Sequence, residues 1–260
     1  MEILVCVKRV PDSAENEISV GPGGSDIRRE ELVYSVNEWD NYAVEEAIQI
    51  VEREGGNVTV VSIGDASAEE VVRREMAMGA AQGLLLTDAA FEGSDGLGTA
   101  KILAAATQKG QYDLILTGAQ ADDGAAQVGG MLAALLDWPF ASLVNKIEVK
   151  EDKSLRIGRE IEGGSQEISD IETPCVLSIQ TGINEPRYVG IRGIRKVASV
   201  EIPQLDAAAL GVAADDIKPK VKRVDYFVPQ AGAGAEMLEG STEELATKVV
   251  GLLIAKGGIK

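Results

Sequence analysis

Short, largely apolar runs at residues 3–7, 58–62, 84–87 and 114–117, separated by helix-length stretches, constrain this chain more than any other feature. A strand with one wet face alternates apolar and polar residues, whereas a run that is apolar and β-branched throughout must be covered on both sides. The intervening stretches, residues 40–54, 67–79, 96–109 and 124–137, read as helices, with Ser67 and Glu70 forming a capping-box pattern and Asp40, Asp95 and Asp123 placed as N-caps. The alternation predicts an α/β fold: a doubly wound, mostly parallel, Rossmann-like sheet with helices on both faces.

Beyond residue 142 the pattern changes to strand-like pieces at 143–149, 155–161, 167–171 and 176–179, which predict hairpins added to the sheet edge, with Gly163-Gly164 as the tightest turn. Residues 203–240, rich in small side chains and punctuated by Pro219 and Pro229, read as an extended arm without a core of its own. Residues 241–256 read as a closing helix capped by Ser241 and Glu244. Its Leu245, Val249, Leu252 and Leu253 share one face that must bury against its own domain or a partner. The expected division is 1–202 and 203–260.

Several functions are excluded by composition. A formal net charge of −17 opposes binding to nucleic acid or to an anionic membrane surface. No apolar run reaches the roughly 20 residues of a membrane helix, and Met1-Glu2-Ile3-Leu4-Val5 opens as a strand rather than a signal peptide, so a cytoplasmic location is expected. Cys6 and Cys175 each sit in an apolar run and make neither a metal spacing nor a disulfide framework. The chain contains 0 histidines, which removes Ser-His-Asp and Cys-His centres, His-ligated zinc and histidine proton shuttles. No catalytic side chain and no metal site is expected.

In an open parallel sheet, ligands bind beyond the carboxyl ends of the strands. The loops following Val7, Ser62 and Thr117 are therefore the ones to inspect. After Thr117 the chain reads Gly118-Ala119-Gln120-Ala121-Asp122-Asp123-Gly124-Ala125-Ala126-Gln127-Val128-Gly129, small residues leading into a helix. Such a loop lets a phosphate approach the free amides of a helix start. Asp122 and Asp123 oppose that anion unless they cap the helix or hold ribose hydroxyls, and an ordinary capped helix is the alternative. There is no Walker sequence and no Gly-x-Gly-x-x-Gly after the first strand. Residues 187–200 hold Arg187, Arg192, Arg195 and Lys196 and no acidic residue, a basic patch in an acidic protein or simply four solvated charges near a turn.

Ordered motifs run along most of the chain: Val7-Lys8-Arg9-Val10-Pro11-Asp12, Ala77-Met78-Gly79-Ala80, Gly118-Ala119-Gln120-Ala121, Arg159-Glu160-Ile161-Glu162-Gly163-Gly164, Thr173-Pro174-Cys175-Val176-Leu177, Asn184-Glu185-Pro186-Arg187-Tyr188 and Gly193-Ile194-Arg195-Lys196. Together they resemble the electron transfer flavoprotein beta subunit. The resemblance implies a heterodimer with an alpha subunit and a shared FAD. It also implies electrons taken from flavin-dependent, acyl-CoA-type dehydrogenases and passed to a quinone oxidoreductase or other acceptor. Residues 1–202 would then be the nucleotide-binding domain with its recognition loop, and 203–260 an arm and helix on the partner subunit.

The resemblance further implies an AMP pocket lined by Cys6, Asn37, Glu38, Trp39, Asp40, Ile63 and the 118–129 loop. Arg159 and Glu160 would lie at the subunit interface near the flavin, as would Ser13, and Ile191 would anchor the dehydrogenase within the basic patch. The loop departs from the common AMP-binding pattern: its Ala126-Gln127-Val128-Gly129 ending is similar to that of members holding a second FAD and bifurcating electrons from NADH. Many members also continue with lysines where this chain reads Val197-Ala198-Ser199-Val200. AMP is the expected ligand, second FAD its alternative, and a stand-alone nucleotide sensor on the same scaffold the reading from a different class.

Overall fold

A computed structural model describes every residue except Asp122, Asp123, Ala233 and Lys260. The chain divides into two compact units: Met1–Ile18 with Arg29–Val224, and Ser19–Arg28 with Asp225–Lys260.

The first unit carries strands β1 (Glu2–Cys6), β2 (Arg9–Pro11), β3 (Tyr34–Val36), β4 (Asn57–Ile63), β5 (Gln82–Leu86), β6 (Leu114–Gly118), β7 (Phe140–Val149), β8 (Leu155–Ile161), β9 (Ser165–Ile171), β10 (Cys175–Ile179) and β11 (Gln204–Leu205). Its helices are α1 (Glu38–Glu54), α2 (Glu69–Met78), α3 (Gly96–Thr107), α4 (Val128–Leu136), α5 (Ile191–Val197) and α6 (Ala207–Leu210). The main sheet has the order β11-β5-β4-β1-β6-β10-β7-β8-β9, and β2 pairs with β3 separately. Every pairing from β11 to β7 is parallel, while β7, β8 and β9 are antiparallel hairpins on the edge. Gly163 and Gly164 make the β8–β9 turn at φ of 79° and 72°, a left-handed region in which side chains are strained.

The continuous apolar strands are explained by two cores, one on each face of the sheet. Ile3, Val5, Leu114 and Leu116 point toward α1 and α2 through Ala43, Ala47, Ile48, Val72 and Met76. Leu4, Ile115 and Val176 point toward α3 and α4 through Ala100, Ile102, Leu103 and Leu132. The doubly wound arrangement follows directly, since each pleat must find apolar cover.

Three local expectations are corrected. The turn before α2 is capped by Asp65, whose carboxylate accepts from Ser67 N–H at 2.8 Å, so Ser67 and Glu70 form no capping box. Asp40 lies inside α1, which begins after Asn37, and its carboxylate is used elsewhere. Residues 203–224 are part of the main body rather than an arm: β11 extends the sheet beside β5, and Leu210 and Ile217 are buried in the second core. The proposed N-cap Asp123 lies outside the described residues.

In the second unit Tyr226 N–H donates to the Gly24 carbonyl at 2.7 Å, and Val20 bridges Ile27. Helix α7 (Thr242–Ala255) starts with the expected reciprocal capping box between Ser241 and Glu244. Val249, Val250, Leu252, Leu253 and Ile254 are each more than 40% exposed, so the described residues of its own unit leave much of that apolar surface uncovered. No helix among the described residues is long and apolar enough to cross a membrane.

Candidate functional site

The sheet order makes the site. From β1 the chain runs outward through β4 and β5, then returns to place β6 on the other side of β1. The carboxyl ends of β1 and β6 therefore border the crevice where loops diverge, the place such sheets use for ligands.

Helix α1 closes this crevice with its first turn. The Asp40 carboxylate accepts from Lys8 N–H at 2.8 Å and from Gly118 N–H at 2.9 Å, clamping the exits of β1 and β6 together. Asp40 is only 6% exposed. Burial pushes its carboxyl up to about 7, against the pull of hydrogen bonds from Asn37, Lys8 and Gly118. Asn37 is buried as well: its Nδ2 donates to the Gln120 carbonyl at 2.8 Å, while its Oδ1 has no hydrogen-bond partner. An orphaned buried acceptor of this kind is costly unless something else supplies a donor. Trp39 Nε1 donates to Gln180 Oε1 at 3.1 Å, and Gln180 Nε2 in turn donates to Glu160 Oε2 at 3.3 Å.

Two glycines are fixed by close approach. A Cβ on Gly118 would overlap Asp40 Oδ1 and stand 2.6 Å from Trp39 Cβ. On Gly129 it would overlap Ser178 Oγ and stand 2.8 Å from Thr117 Oγ1, whose own hydrogen bond to Ser178 Oγ measures 2.9 Å. Between them Ala119 is buried, Gly124, Ala125, Ala126 and Gln127 are exposed, and Gly124 N–H donates to the Ala121 carbonyl at 3.0 Å. The helix expected from residue 124 begins only at Val128, because Ala126 takes a φ of 53° and breaks the helical path. Among the described residues no side chain caps α4. Amides at a helix start with small residues around them are the donors that an anion uses. Asp122 and Asp123 lie outside the described residues. Small residues leading into a helix start and the unpaired Asn37 oxygen are features compatible with an adenine nucleotide.

Cys6 and Ile63 end β1 and β4 beside this crevice, and Glu38 is exposed at the start of α1. Burial, with a smaller effect from Asp40, pushes the Cys6 thiol well up, and burial does the same for Cys175, to about 12. Both thiols are therefore neutral and poor nucleophiles near neutral pH. No group of three or more metal-ligating side chains occurs among the described residues.

Arg159 and Glu160 are neighbours on β8 and do not pair with each other. Arg159 Nη1 lies 3.8 Å from Glu167 and Nη2 donates to Ser142 Oγ at 3.4 Å, leaving its buried Nε without a partner. Ser13 is exposed beyond β2.

The expected four-charge patch is reduced to three. Arg187 is engaged by two carboxylates of α1, Glu45 and Glu52, at 2.8 and 2.7 Å. Arg192, Arg195 and Lys196 are exposed on the short helix α5 and form no ion pair among the described residues. Ile191 opens that helix at 66% exposure, with Ile194 at 51% and Tyr188 at 91%. Sequence reasoning missed Glu45, Glu46, Glu75 and Gln180. The signal available for the first three was an acidic residue placed inside an apolar helical stripe, since Val44, Ala47 and Ile48 flank the α1 pair and Val71, Val72 and Met76 surround Glu75.

Comparison with known proteins places the chain in a family. The electron transfer flavoprotein domain model matches residues 26–210. The chain is 35% identical over 262 residues to the electron transfer flavoprotein subunit beta of Methylophilus methylotrophus, covering 97% of this chain and 98% of the relative. It is 39% identical over 255 residues to the subunit beta of Thermoanaerobacterium thermosaccharolyticum, with 96% of each covered. A third relative, 35% identical over 262 residues with 98% and 97% covered, is the caffeyl-CoA reductase-Etf complex subunit CarD of Acetobacterium woodii. A histidine-free α/β protein with a mostly parallel sheet, matched to these relatives over nearly its whole length, belongs to the electron transfer flavoprotein family as a subunit of the beta type.

Proposed function

We propose that this chain pairs with an alpha subunit, helps to enclose a FAD held between them, and takes electrons from flavin-dependent, acyl-CoA-type dehydrogenases for delivery to a quinone reductase or similar acceptor. FAD supplies the redox chemistry when bound. The chain itself contributes no acid, base or nucleophile: it positions partners and holds a nucleotide. The observation carrying this reading is α5, where Ile191 is 66% exposed and framed by Arg192, Arg195 and Lys196. An apolar anchor inside a rim of one charge sign is the pattern of a docking hot spot for an acidic protein surface.

In this reading AMP occupies the crevice, with its phosphate on the α4 amides and the 118–129 loop. Asn37 accepts a hydrogen bond, and Cys6, Glu38, Trp39 and Ile63 line the remainder. Asp40 shapes the cradle through Lys8 and Gly118 without needing to touch the ligand. Arg159, Glu160 and Ser13 face the shared flavin, and the apolar surface of α7 covers the alpha subunit.

The experiment is cofactor counting. Denaturing the purified heterodimer should release one FAD and one AMP. Two FAD without AMP would overturn the AMP assignment and favour a bifurcating subunit, and a colourless preparation indifferent to any second subunit would overturn the whole reading.

A further inference from the structure

Helix α5 is seven residues long, too short to persist alone in water. Its side-chain burial comes down to Val197, because Ile191, Arg192, Ile194, Arg195 and Lys196 are all exposed. Arg192 also faces Arg195 and Lys196 at helical spacings of three and four, where like charges repel. Neither core packing nor local propensity explains its order.

What holds it lies at its ends. On the N-terminal side, residues 180–190 contain no helix or strand, yet they are tied to α1. Asn184 Nδ2 donates to the Tyr42 carbonyl at 3.1 Å and to Glu46 Oε2 at 3.0 Å. Arg187 donates through Nε and Nη2 to the two oxygens of Glu45 at 2.8 and 3.0 Å, and through Nη1 and Nη2 to those of Glu52 at 2.7 and 3.1 Å. Its backbone N–H adds a bond to Glu45 Oε2 at 3.1 Å. The Glu45 side chain is 3% exposed, so the fork grips a carboxylate that cannot swing away. On the C-terminal side, Arg73 of α2 donates to the carbonyls of Val197, Ala198 and Val200, and its other nitrogen pairs with Glu69. In between, Gly193 rests on α2 so closely that a Cβ would overlap the Ala77 carbonyl.

We propose that these two arginine clasps, Arg187 on Glu45 and Glu52 and Arg73 on the α5 carbonyls, preorganise α5 for docking, making Glu45, Glu52 and Arg73 positioning residues for the dehydrogenase encounter. This rests on the reading of α5 as the docking element. Arg187 then adds no attraction of its own, because its charge is met by two carboxylates. Its planar fork is the feature that matters, and lysine cannot reproduce it. An element ordered before contact spares the complex the entropy of ordering it during contact.

The test uses the intact flavoprotein with its partner subunit and an acyl-CoA dehydrogenase that reduces the wild type. Arg73→Ala and Arg187→Lys should speed amide hydrogen exchange across residues 188–198 by about tenfold or more. They should also raise the KM for the flavoprotein as electron acceptor by about fivefold, with kcat and flavin content unchanged. Arg73→Lys should restore part of both effects. Exchange that stays slow, or exchange that quickens while KM stays put, overturns the proposal and leaves the docking role standing. Ile191→Ala serves as the control: if it leaves KM unchanged, the docking role falls and this inference falls with it. Should Arg187→Lys fail to assemble, the partly exposed Arg73 carries the test alone.

Discussion

Replacing Asp40 by Asn changes one atom in the centre of the crevice and should reveal itself through pH. The carboxyl group is buried, accepts two backbone amides, and is pushed up to about 7 from 3.8, chiefly by burial. That gap corresponds to about 4 kcal/mol in favour of the neutral form. Because the folded-state value lies above the unfolded one, the associated stability is fully present below about pH 4 and is lost as pH rises through about 7. Between pH 5 and pH 8 the wild type should therefore lose about 3 kcal/mol at this site, whereas the Asn variant has nothing to ionise. Asparagine offers one acceptor oxygen in place of two, leaving a buried N–H of Lys8 or Gly118 facing an amide group, a cost of about 1–3 kcal/mol at any pH. Urea unfolding at pH 5 and pH 8 should show the variant clearly weaker at pH 5 and level with, or above, the wild type at pH 8. A stability difference that is constant across this range, or that widens with pH, would refute the argument.

Other perturbations follow from the same contacts. Gly129→Ala, which forces α4 off Ser178 and Thr117, should cost about 1–3 kcal/mol and leave the purified complex depleted of adenine nucleotide; full nucleotide content would show that the close approach is not needed. Glu75 is 0% exposed, its two oxygens have no hydrogen-bond partner, and burial pushes its carboxyl up to about 8. Glu75→Met should therefore raise the midpoint of thermal unfolding, by more at pH 8 than at pH 5, and a lowered midpoint at pH 8 would contradict this. Arg192→Glu should slow electron transfer from the dehydrogenase at low ionic strength, with the deficit narrowing as salt is added; a salt-independent deficit would point away from steering.

The sheet was legible because burial on both faces leaves nothing polar in residues such as Val58, Val60 and Val61, and the glycine-rich exit of β6 was legible because only small residues tolerate such a turn. Arg187 was not. Its partners, Glu45 and Glu52, lie 142 and 135 positions away, and no local pattern connects them. The late start of α4 depends on a left-handed Ala126, a conformation that alanine does not advertise. Strand β11 has two residues, too few for any periodicity, so the main body ran on to Val224 where an arm was expected. Ser67 does not cap α2 because both its N–H and its hydroxyl donate to the Asp65 carboxylate.

Helix α1 gives its first turn to the crevice beside β1 and β6 through Asn37, Trp39 and Asp40, and its later turns to the segment leading into α5 through Glu45, Glu46 and Glu52. A rod of 17 residues thus ties the two proposed sites together. Under the proposed function, drift that tilts or slides it disturbs both, so that ligand choice and partner choice change together along a lineage.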